Sequence, residues 1–246
     1  MALLYNSANP LEKGQNIRPP LGTFFNGQSY HLTLYPELGR ADRSVLVIKM
    51  ILQFQFEDGE GKWTDAEKNA YGHKFVDSVV EVWSEKFRIT TTSKIPAENC
   101  RDVGVVFEFP YYIDGWHSDD DFEISVKKVP EDKFEHSSCQ YNLGNSYLHT
   151  ESIKPWNKGA TMKQRPAVHE FGHMLGLRDE YPSAKDNLNH TGDKDSVMHG
   201  GELVRERHYA PFAAWLTEKF ATAAHLSRNS IDYKVNGTTD ISNAQL

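Results

Sequence analysis

Apolar and polar residues alternate along several segments in the first half of the chain. Between Leu46 and Phe56 every second residue is apolar, which is the period of a strand with one buried face. Shorter segments follow the same rule and are bounded by turn-forming residues. The strands predicted in this way are residues 29–35, 46–56, 103–109 and 122–126, with a short edge strand at residues 146–149.

Helical spacing replaces this alternation in three other segments. Thr64 and Glu67 form a capping-box pattern ahead of a helix that is predicted to run to Phe87 and to lie against the sheet. A second helix is predicted from Pro166, because the missing N–H of a proline would be unpaired in the first turn anyway. A third follows Pro211. This mixture of strands and helices predicts an α+β fold.

Length and composition predict a single domain. A chain of 246 residues can be built around one core, and 39% hydrophobic with 25% charged residues is typical of a globular protein. Residues 1–20 show no periodicity and predict an N-terminal arm. Residues 21–226 form the predicted domain, and residues 227–246 a polar C-terminal tail.

Charge and hydropathy narrow the classes of function. The formal net charge of −7 leaves no basic excess to neutralise phosphates, which argues against nucleic-acid binding. No segment approaches the ~18 apolar residues of a membrane-spanning helix, and the first twenty residues carry no readable export signal. Localisation therefore stays open, with secretion without a recognisable signal peptide as one expectation. No pattern indicates the oligomeric state.

Cys100 and Cys139 are the only cysteines of the chain. Two cysteines are too few for a disulfide scaffold, and their separation does not fit a CxxC site. The sequence is compatible with one bridge between them and with two separate thiols.

A metal-binding pattern lies in the second predicted helix. His169 and His173 are four residues apart, so one helical turn brings both imidazoles to one face, where they can share a zinc ion. Val168 and Phe171 fall on the opposite, apolar side. Within this HExxH pattern, Glu170 is the predicted catalytic base that activates water.

The continuation of this pattern resembles the metzincin metallopeptidases, whose signature is HExxHxxGxxH. Gly176 allows a tight turn out of the helix, and the third ligand position is occupied here by Asp179. Aspartate is an acceptable zinc ligand, and the snapalysin-like branch of the family is similar in using it. Downstream, the sequence Ser-Val-Met-His at residues 196–199 resembles the Met-turn of the astacin-like metzincins. The resemblance covers roughly a quarter of the chain, residues 166–220.

The resemblance implies a fold and an activity. The implied fold is a metzincin-like zincin domain, with a twisted, mostly parallel sheet, a long backing helix, an active-site helix and a C-terminal helix. The implied activity is that of a zinc metalloendopeptidase that acts on a protein or peptide substrate, with Met198 as an apolar floor beneath the histidines. Two alternatives stay open: a catalytically inactive zinc-containing binding module, and a narrow-specificity secreted toxin or effector protease.

Two site assignments also stay open. Glu180 competes with Asp179 for the third ligand position or orients a ligand from behind it, and His190 is a further alternative ligand. At Gly200 the astacins carry a tyrosine that helps to stabilise the oxyanion, so this role has no assigned residue. The candidates for it are Tyr181, His199, His208 and Tyr209.

Overall fold

The computed structural model describes residues 5, 12–14, 30–95, 98–158, 162–182, 190–223 and 231–238. The strands are Glu12–Gly14 (β1), His31–Pro36 (β2), Ser44–Lys49 (β3), Leu52–Glu57 (β4), Phe87–Thr90 (β5), Asp102–Glu108 (β6), Tyr111–Ile113 (β7), Phe122–Lys127 (β8), Ser138–Gln140 (β9), Asn145–His149 (β10), Trp156–Asn157 (β11), Lys163–Gln164 (β12) and Lys234–Thr238 (β13). The α-helices are Asp65–Trp83 (α1), Pro166–Met174 (α2) and Glu206–Ala223 (α3).

The strands form two main sheets. One has the order β1-β2-β3-β6-β5-β13 and the other β7-β4-β8-β10-β9, while β11 and β12 form a separate hairpin. In the first sheet only β3 and β6 are parallel. In the second, β7, β4, β8 and β10 are parallel and the edge strand β9 is antiparallel.

The prediction of a mostly parallel sheet is therefore wrong for the six-stranded sheet and agrees with the five-stranded one. The short connection between β2 and β3 makes them a hairpin, and a short connection can join only antiparallel neighbours. The predicted edge strand at residues 146–149 is also corrected, because β9 covers it. The mixed class of helices and strands agrees with the α+β prediction.

β3 and β4 are two halves of the strand that was predicted as one. It is interrupted at Met50 and Ile51, where the N–H of Ile51 donates to the carboxylate of Asp121 at 2.7 Å rather than to a neighbouring strand. The alternation nevertheless continues through the break, so Leu46, Met50 and Phe54 stay buried on one face. The interruption allows a single stretch of chain to belong to both sheets.

Helix α1 begins as predicted and ends earlier than predicted. The Thr64 side chain accepts from the N–H of Glu67, and the Glu67 carboxylate accepts from the N–H of Thr64, which completes the capping box. The helix stops at Trp83, and Glu85 takes a left-handed backbone with φ of 58°. Phe87 continues the helical spacing from Trp83, but it is the first residue of β5, so its apolar character belongs to a strand.

The C-terminal part differs from the prediction in two places. Helix α3 begins at Glu206, so Pro211 lies inside it rather than ahead of it. Within the predicted polar tail, Lys234–Thr238 pairs with β5 as the last strand of the six-stranded sheet. In the predicted N-terminal arm, β1 pairs with β2 and Tyr5 forms a bridge with Glu37. Residues 231–233 of the tail are also described, and Ile231 and Tyr233 are buried. The other residues of both segments lie outside the described ranges.

Trp83 of α1 and Phe171 of α2 pack these two helices against each other. The indole N–H of Trp83 donates to the carbonyl of Val168 at 2.9 Å, and the ring packs edge-on against Phe171. This contact joins the end of α1 to the apolar side of α2. Cys100 and Cys139 are free thiols, so the bridge that the sequence left open is not formed. Across the described residues, no helix has both the length and the apolarity to cross a membrane.

Candidate metal centre

The three predicted ligands converge at the end of α2. Asp179 Oδ1 lies 3.1 Å from His169 Nε2 and 3.3 Å from His173 Nε2. Their ligand atoms all lie within 4.8 Å of one another, and the described residues contain no second such group of three. His190 is not part of it.

A glycine turn brings Asp179 back to the histidines. Helix α2 ends at Met174, and Gly176 has φ of 81°, a left-handed conformation that a residue with a Cβ adopts only under strain. The N–H of Gly176 donates to the carbonyl of His173, and the N–H of Leu177 to that of Gly172. These two bonds form a Schellman motif, which reverses the chain toward the cluster.

Backbone carbonyls orient both imidazoles. His169 Nδ1 lies 2.8 Å from the carbonyl oxygen of Val197, and His173 Nδ1 lies 2.8 Å from that of Leu177. Because a carbonyl can only accept, each Nδ1 carries the hydrogen, and in the neutral ring each Nε2 presents a lone pair to the cluster. Such outer hydrogen bonds fix the tautomer of metal-binding histidines.

The three ligand atoms of the cluster are all acceptors. Two Nε2 lone pairs and a carboxylate oxygen face each other, and the buried Asp179 Oδ1 has no hydrogen-bond partner among the described residues. Either a proton on an imidazole or a metal ion must lie between these acceptors. Two imidazole nitrogens and one carboxylate oxygen form a donor set that suits Zn²⁺ and leaves a fourth position open.

Neighbouring charges shift the pKa values of Asp179 and His173. Burial alone raises the pKa of Asp179, but its interactions with His169 and His173 outweigh burial and hold that pKa well below its ordinary range. Burial lowers the pKa of His173, but the nearby carboxylates of Asp179 and Glu170 reverse this, so the pKa is raised. The Asp179 carboxylate therefore stays ionised at neutral pH.

Glu170 is buried beside this cluster and faces the same cleft. The cleft has a volume of about 430 Å³, and its lining includes Glu170, all three candidate ligands and part of β9. Burial raises the pKa of Glu170, and the neighbouring histidines only partly oppose this. A carboxylate with a raised pKa can both accept a proton and return it.

Met198 packs directly against the helix that carries the histidines. It is fully buried, and a Cβ added to Gly172 would lie only 2.1 Å from its sulfur. The absence of a side chain at Gly172 is therefore what allows the loop of Met198 to approach α2. The carbonyl of Met198 also accepts from the N–H of Glu180, which ties this loop to the ligand segment.

Glu180 faces away from the cluster. Both of its carboxylate oxygens accept from Arg207, each at 2.7 Å, and Oε1 lies 3.3 Å from His208 Nε2. Arg207 also donates to Asp193, which accepts two further bonds from Arg205. Between the two acidic residues that the sequence left as alternatives, Asp179 faces the histidines and Glu180 belongs to a salt-bridge network.

Tyr181 is the candidate for the oxyanion role that reaches the cluster. Its hydroxyl lies 3.0 Å from His169 Nε2, and its ring stacks on the imidazole. His199 packs edge-on against Tyr181. The other two candidates are engaged elsewhere, since His208 contacts Glu180 and the hydroxyl of Tyr209 donates to a carbonyl in α1.

Gln164 belongs to the site but was not predicted. It is fully buried just ahead of α2, and its amide donates to the carbonyls of Val197 and Gly201 at 2.9 and 2.8 Å. These bonds hold the loop of Met198 against the start of the helix. The sequence gives no motif for this role, because its partners are backbone groups 33 and 37 residues away.

No known protein family matches the chain, and no curated protein is significantly similar to it.

Proposed function

We propose that this protein is a zinc-dependent endopeptidase of the metzincin type, with His169, His173 and Asp179 as ligands and Glu170 as general base. The observation that carries the proposal is the convergence of two imidazole nitrogens and a carboxylate oxygen beside a buried carboxylate at the wall of a cleft. A structural zinc site usually fills its fourth position with a side chain and needs no base. The arrangement therefore favours catalysis over a purely structural metal.

The proposed reaction depends on a proton transfer by Glu170. Zinc, when bound, supplies a Lewis acid that lowers the pKa of water and polarises the peptide carbonyl. The Glu170 carboxylate accepts a proton from the attacking water and returns it to the nitrogen of the leaving amine. Its raised pKa supports this role, because a base poised closer to neutrality can also act as the acid.

Tyr181 is proposed to stabilise the negative charge that develops on the substrate carbonyl oxygen. Its hydroxyl is a hydrogen-bond donor positioned beside His169 Nε2. Gly200 offers no side chain for this purpose. The stacking of Tyr181 on His169 and its contact with His199 hold the ring at the cluster, so the donor is in place before the substrate binds.

The edge of the five-stranded sheet supports a polypeptide substrate. β9 ends that sheet and runs antiparallel to β10, and Ser138 and Cys139 of β9 line the cleft. An extended peptide can bind such an edge by backbone hydrogen bonds, largely independently of its side chains. A chain bound in this way passes the cluster in an extended conformation, as an endopeptidase requires.

The test pairs metal content with cleavage. Zinc is measured by inductively coupled plasma mass spectrometry on the wild type and on Glu170→Gln, and both are incubated with casein. We expect one zinc per chain in both proteins and cleavage by the wild type alone. Cleavage by Glu170→Gln contradicts its role as base, and absence of zinc overturns the whole proposal. Zinc without cleavage of casein favours a binding module or a narrow-specificity effector protease, which a diverse peptide library then distinguishes.

Tyr181→Phe tests the second part of the proposal. We expect kcat to fall by about 10²-fold, the effect of removing one oxyanion donor, with an unchanged zinc content and little change in KM. Tyr209→Phe is the matched control, because that hydroxyl donates to a carbonyl of α1 instead. An unchanged kcat in Tyr181→Phe would leave the tyrosine with a packing role only.

A further inference from the structure

A rigid loop holds an exposed tryptophan away from the metal centre. In the connection from β7 to β8, Asp114 and Gly115 have φ of 52° and 79°, and their carbonyls accept from Gln53 Nε2 at 3.0 and 3.1 Å. The ring of His117 stacks on that of Tyr112 at 3.7 Å. The loop is thus fixed on both sides of Trp116, whose side chain is nevertheless 84% exposed.

A polar pocket of about 170 Å³ lies between this loop and the outer face of the five-stranded sheet. Gln53, Glu123 and Asn145 stand side by side on β4, β8 and β10, because Glu123 is in register with both of the others. Asp120 and Trp116 line the pocket from the loop.

The pocket presents acceptors that nothing in the described chain satisfies. Gln53 is only 2% exposed, its amide hydrogens are committed to the loop, and its buried Oε1 has no hydrogen-bond partner among the described residues. Gln55 also directs its amide nitrogen to the loop, at the carbonyl of Gly115. Asp120 and Glu123 have no ion pair within the described ranges, whereas Asp121 is occupied by the N–H of Ile51.

We propose that this pocket binds a basic side chain, arginine or lysine, of a partner polypeptide. Guanidinium and ammonium groups only donate hydrogen bonds, so they match the carboxylates of the pocket and the Gln53 amide, whose two hydrogens are already bonded to the loop. The carboxylates of Asp120 and Glu123 supply charge-assisted acceptors, and the indole of Trp116 supplies a face for a cation–π contact. The buried, unpartnered Oε1 of Gln53 marks the point where a donor is missing.

Two other ligand classes fit this lining less well. Sugar hydroxyls accept as well as donate, and both amide hydrogens of Gln53 and one of Gln55 are bonded to the loop. A calcium ion needs several oxygen ligands that converge on one point, and among the described residues the only group of three His, Cys, Asp or Glu side chains that converges in this way is the cluster at His169. Charge complementarity therefore favours the basic side chain.

The experiment follows the indole N–H resonance of Trp116 in the ¹⁵N-labelled full chain. The resonance is assigned by its loss in Trp116→Phe, and the probes are N-acetyl-arginine amide and its neutral isostere N-acetyl-citrulline amide. We expect a saturable shift with the arginine probe only. Glu123→Gln should weaken binding of that probe by about tenfold, the effect of removing one charged acceptor, while the exposed Glu60→Gln should not change it.

Three outcomes would overturn the proposal. Equal shifts with the arginine and citrulline probes would remove the role of charge, and no shift with either would remove the site. A saturable shift with methyl glucoside or with calcium chloride, but not with the arginine probe, would assign the pocket to another ligand class. Because the readout involves neither zinc nor cleavage, failure here is distinguishable from failure of the proposed peptidase activity.

Discussion

Asp179 and Glu180 are adjacent acidic residues with opposite surroundings. Glu180 is 2% exposed, and the protein neutralises it with Arg207 and His208. Asp179 faces two imidazoles that present lone pairs, and its Oδ1 has no hydrogen-bond partner among the described residues. The fold supplies the counter-charge of Glu180 through Arg207, whereas the counter-charge of Asp179 would be the zinc ion that we propose.

This difference predicts a structural role for Glu180 and a ligand-binding role for its neighbour Asp179. A buried charge that is fully paired contributes to stability through its partners, and its removal leaves those partners unpaired. A carboxylate grouped with other acceptors contributes little until a cation arrives, and its removal then costs affinity. The two residues should therefore respond differently to substitution.

The largest expected effect is that Asp179→Asn and Glu180→Gln change different properties. The first should weaken zinc binding, and the second should lower the stability of the fold. Asp179→Asn should weaken zinc binding by more than the ~10–100-fold that loss of an outer hydrogen-bond partner costs. With a chelator present, its free energy of unfolding should stay within ~1 kcal/mol of the wild type, since its side chain is 34% exposed.

Glu180→Gln should show the reverse pattern. We expect its free energy of unfolding to fall by roughly 2–3 kcal/mol, less than the ~3–5 kcal/mol of a fully buried pair, because Arg207 is 27% exposed and keeps Asp193. Urea denaturation in chelator and zinc titration with a competing dye measure the two quantities. If both substitutions weaken zinc binding equally, Glu180 is not merely a structural residue.

The next effect concerns the contact of α2 with the loop of Met198. Gly172→Ala should destabilise the protein by about 1–3 kcal/mol, because its Cβ would overlap the Met198 sulfur. Gly192→Ala is the matched control, since a Cβ there meets nothing within 4 Å. Thermal unfolding of both variants checks this, and equal melting temperatures would show that the loop yields without cost.

The smallest effect is a dependence of stability on pH that arises from Glu180 and its partners Arg207 and His208. Burial alone would raise the pKa of Glu180, but Arg207 and His208 hold it well below its ordinary value. Burial lowers the pKa of His208. As the pH falls, the unfolded chain therefore binds protons first, at His208 below about 6.5 and at Glu180 below about 4.5.

Stability should consequently decline below pH about 6.5 and more steeply below about 4.5, by up to ~1.4 kcal/mol per pH unit for each excess proton. Urea midpoints between pH 8 and 4, measured in chelator, test this. Glu180→Gln should show a shallower decline at the acid end than the wild type. Parallel curves would assign the acid sensitivity to other carboxylates.

Local patterns predicted the three helices and six of the thirteen described strands, β2, β3, β4, β6, β8 and β10. They predicted neither the other seven strands nor how the strands pair. The capping box at Thr64 and the proline at residue 166 fix helix starts through contacts within a few residues, so the sequence alone was sufficient. The break at Met50 depends on Asp121, which is 70 residues from Ile51. The order of strands likewise depends on distant partners that a one-dimensional pattern does not contain.

The candidate site was also predictable only in part. His169, Glu170, His173 and Asp179 lie in one segment whose geometry follows from helix periodicity and one glycine, so their proximity could be predicted. The spacing from Gly176 also favoured Asp179 over Glu180, and Asp179 is the one that lies at the histidines. The partner that engages Glu180, Arg207 of α3, could not be predicted, because it is 27 residues away. The role of the zinc ion and of Glu170 as base stays a prediction until metal and cleavage are measured.

The Schellman turn at Gly176 also has a consequence for chain entropy. Because it brings all three ligands from residues 169 to 179 together, a bound ion would close only a short loop of the chain. The entropy that a cross-link removes from the unfolded ensemble grows with the logarithm of loop length, so little of it is available here. A metal at this position would add its binding energy locally, while the two sheets and their core hold the remainder of the protein without it.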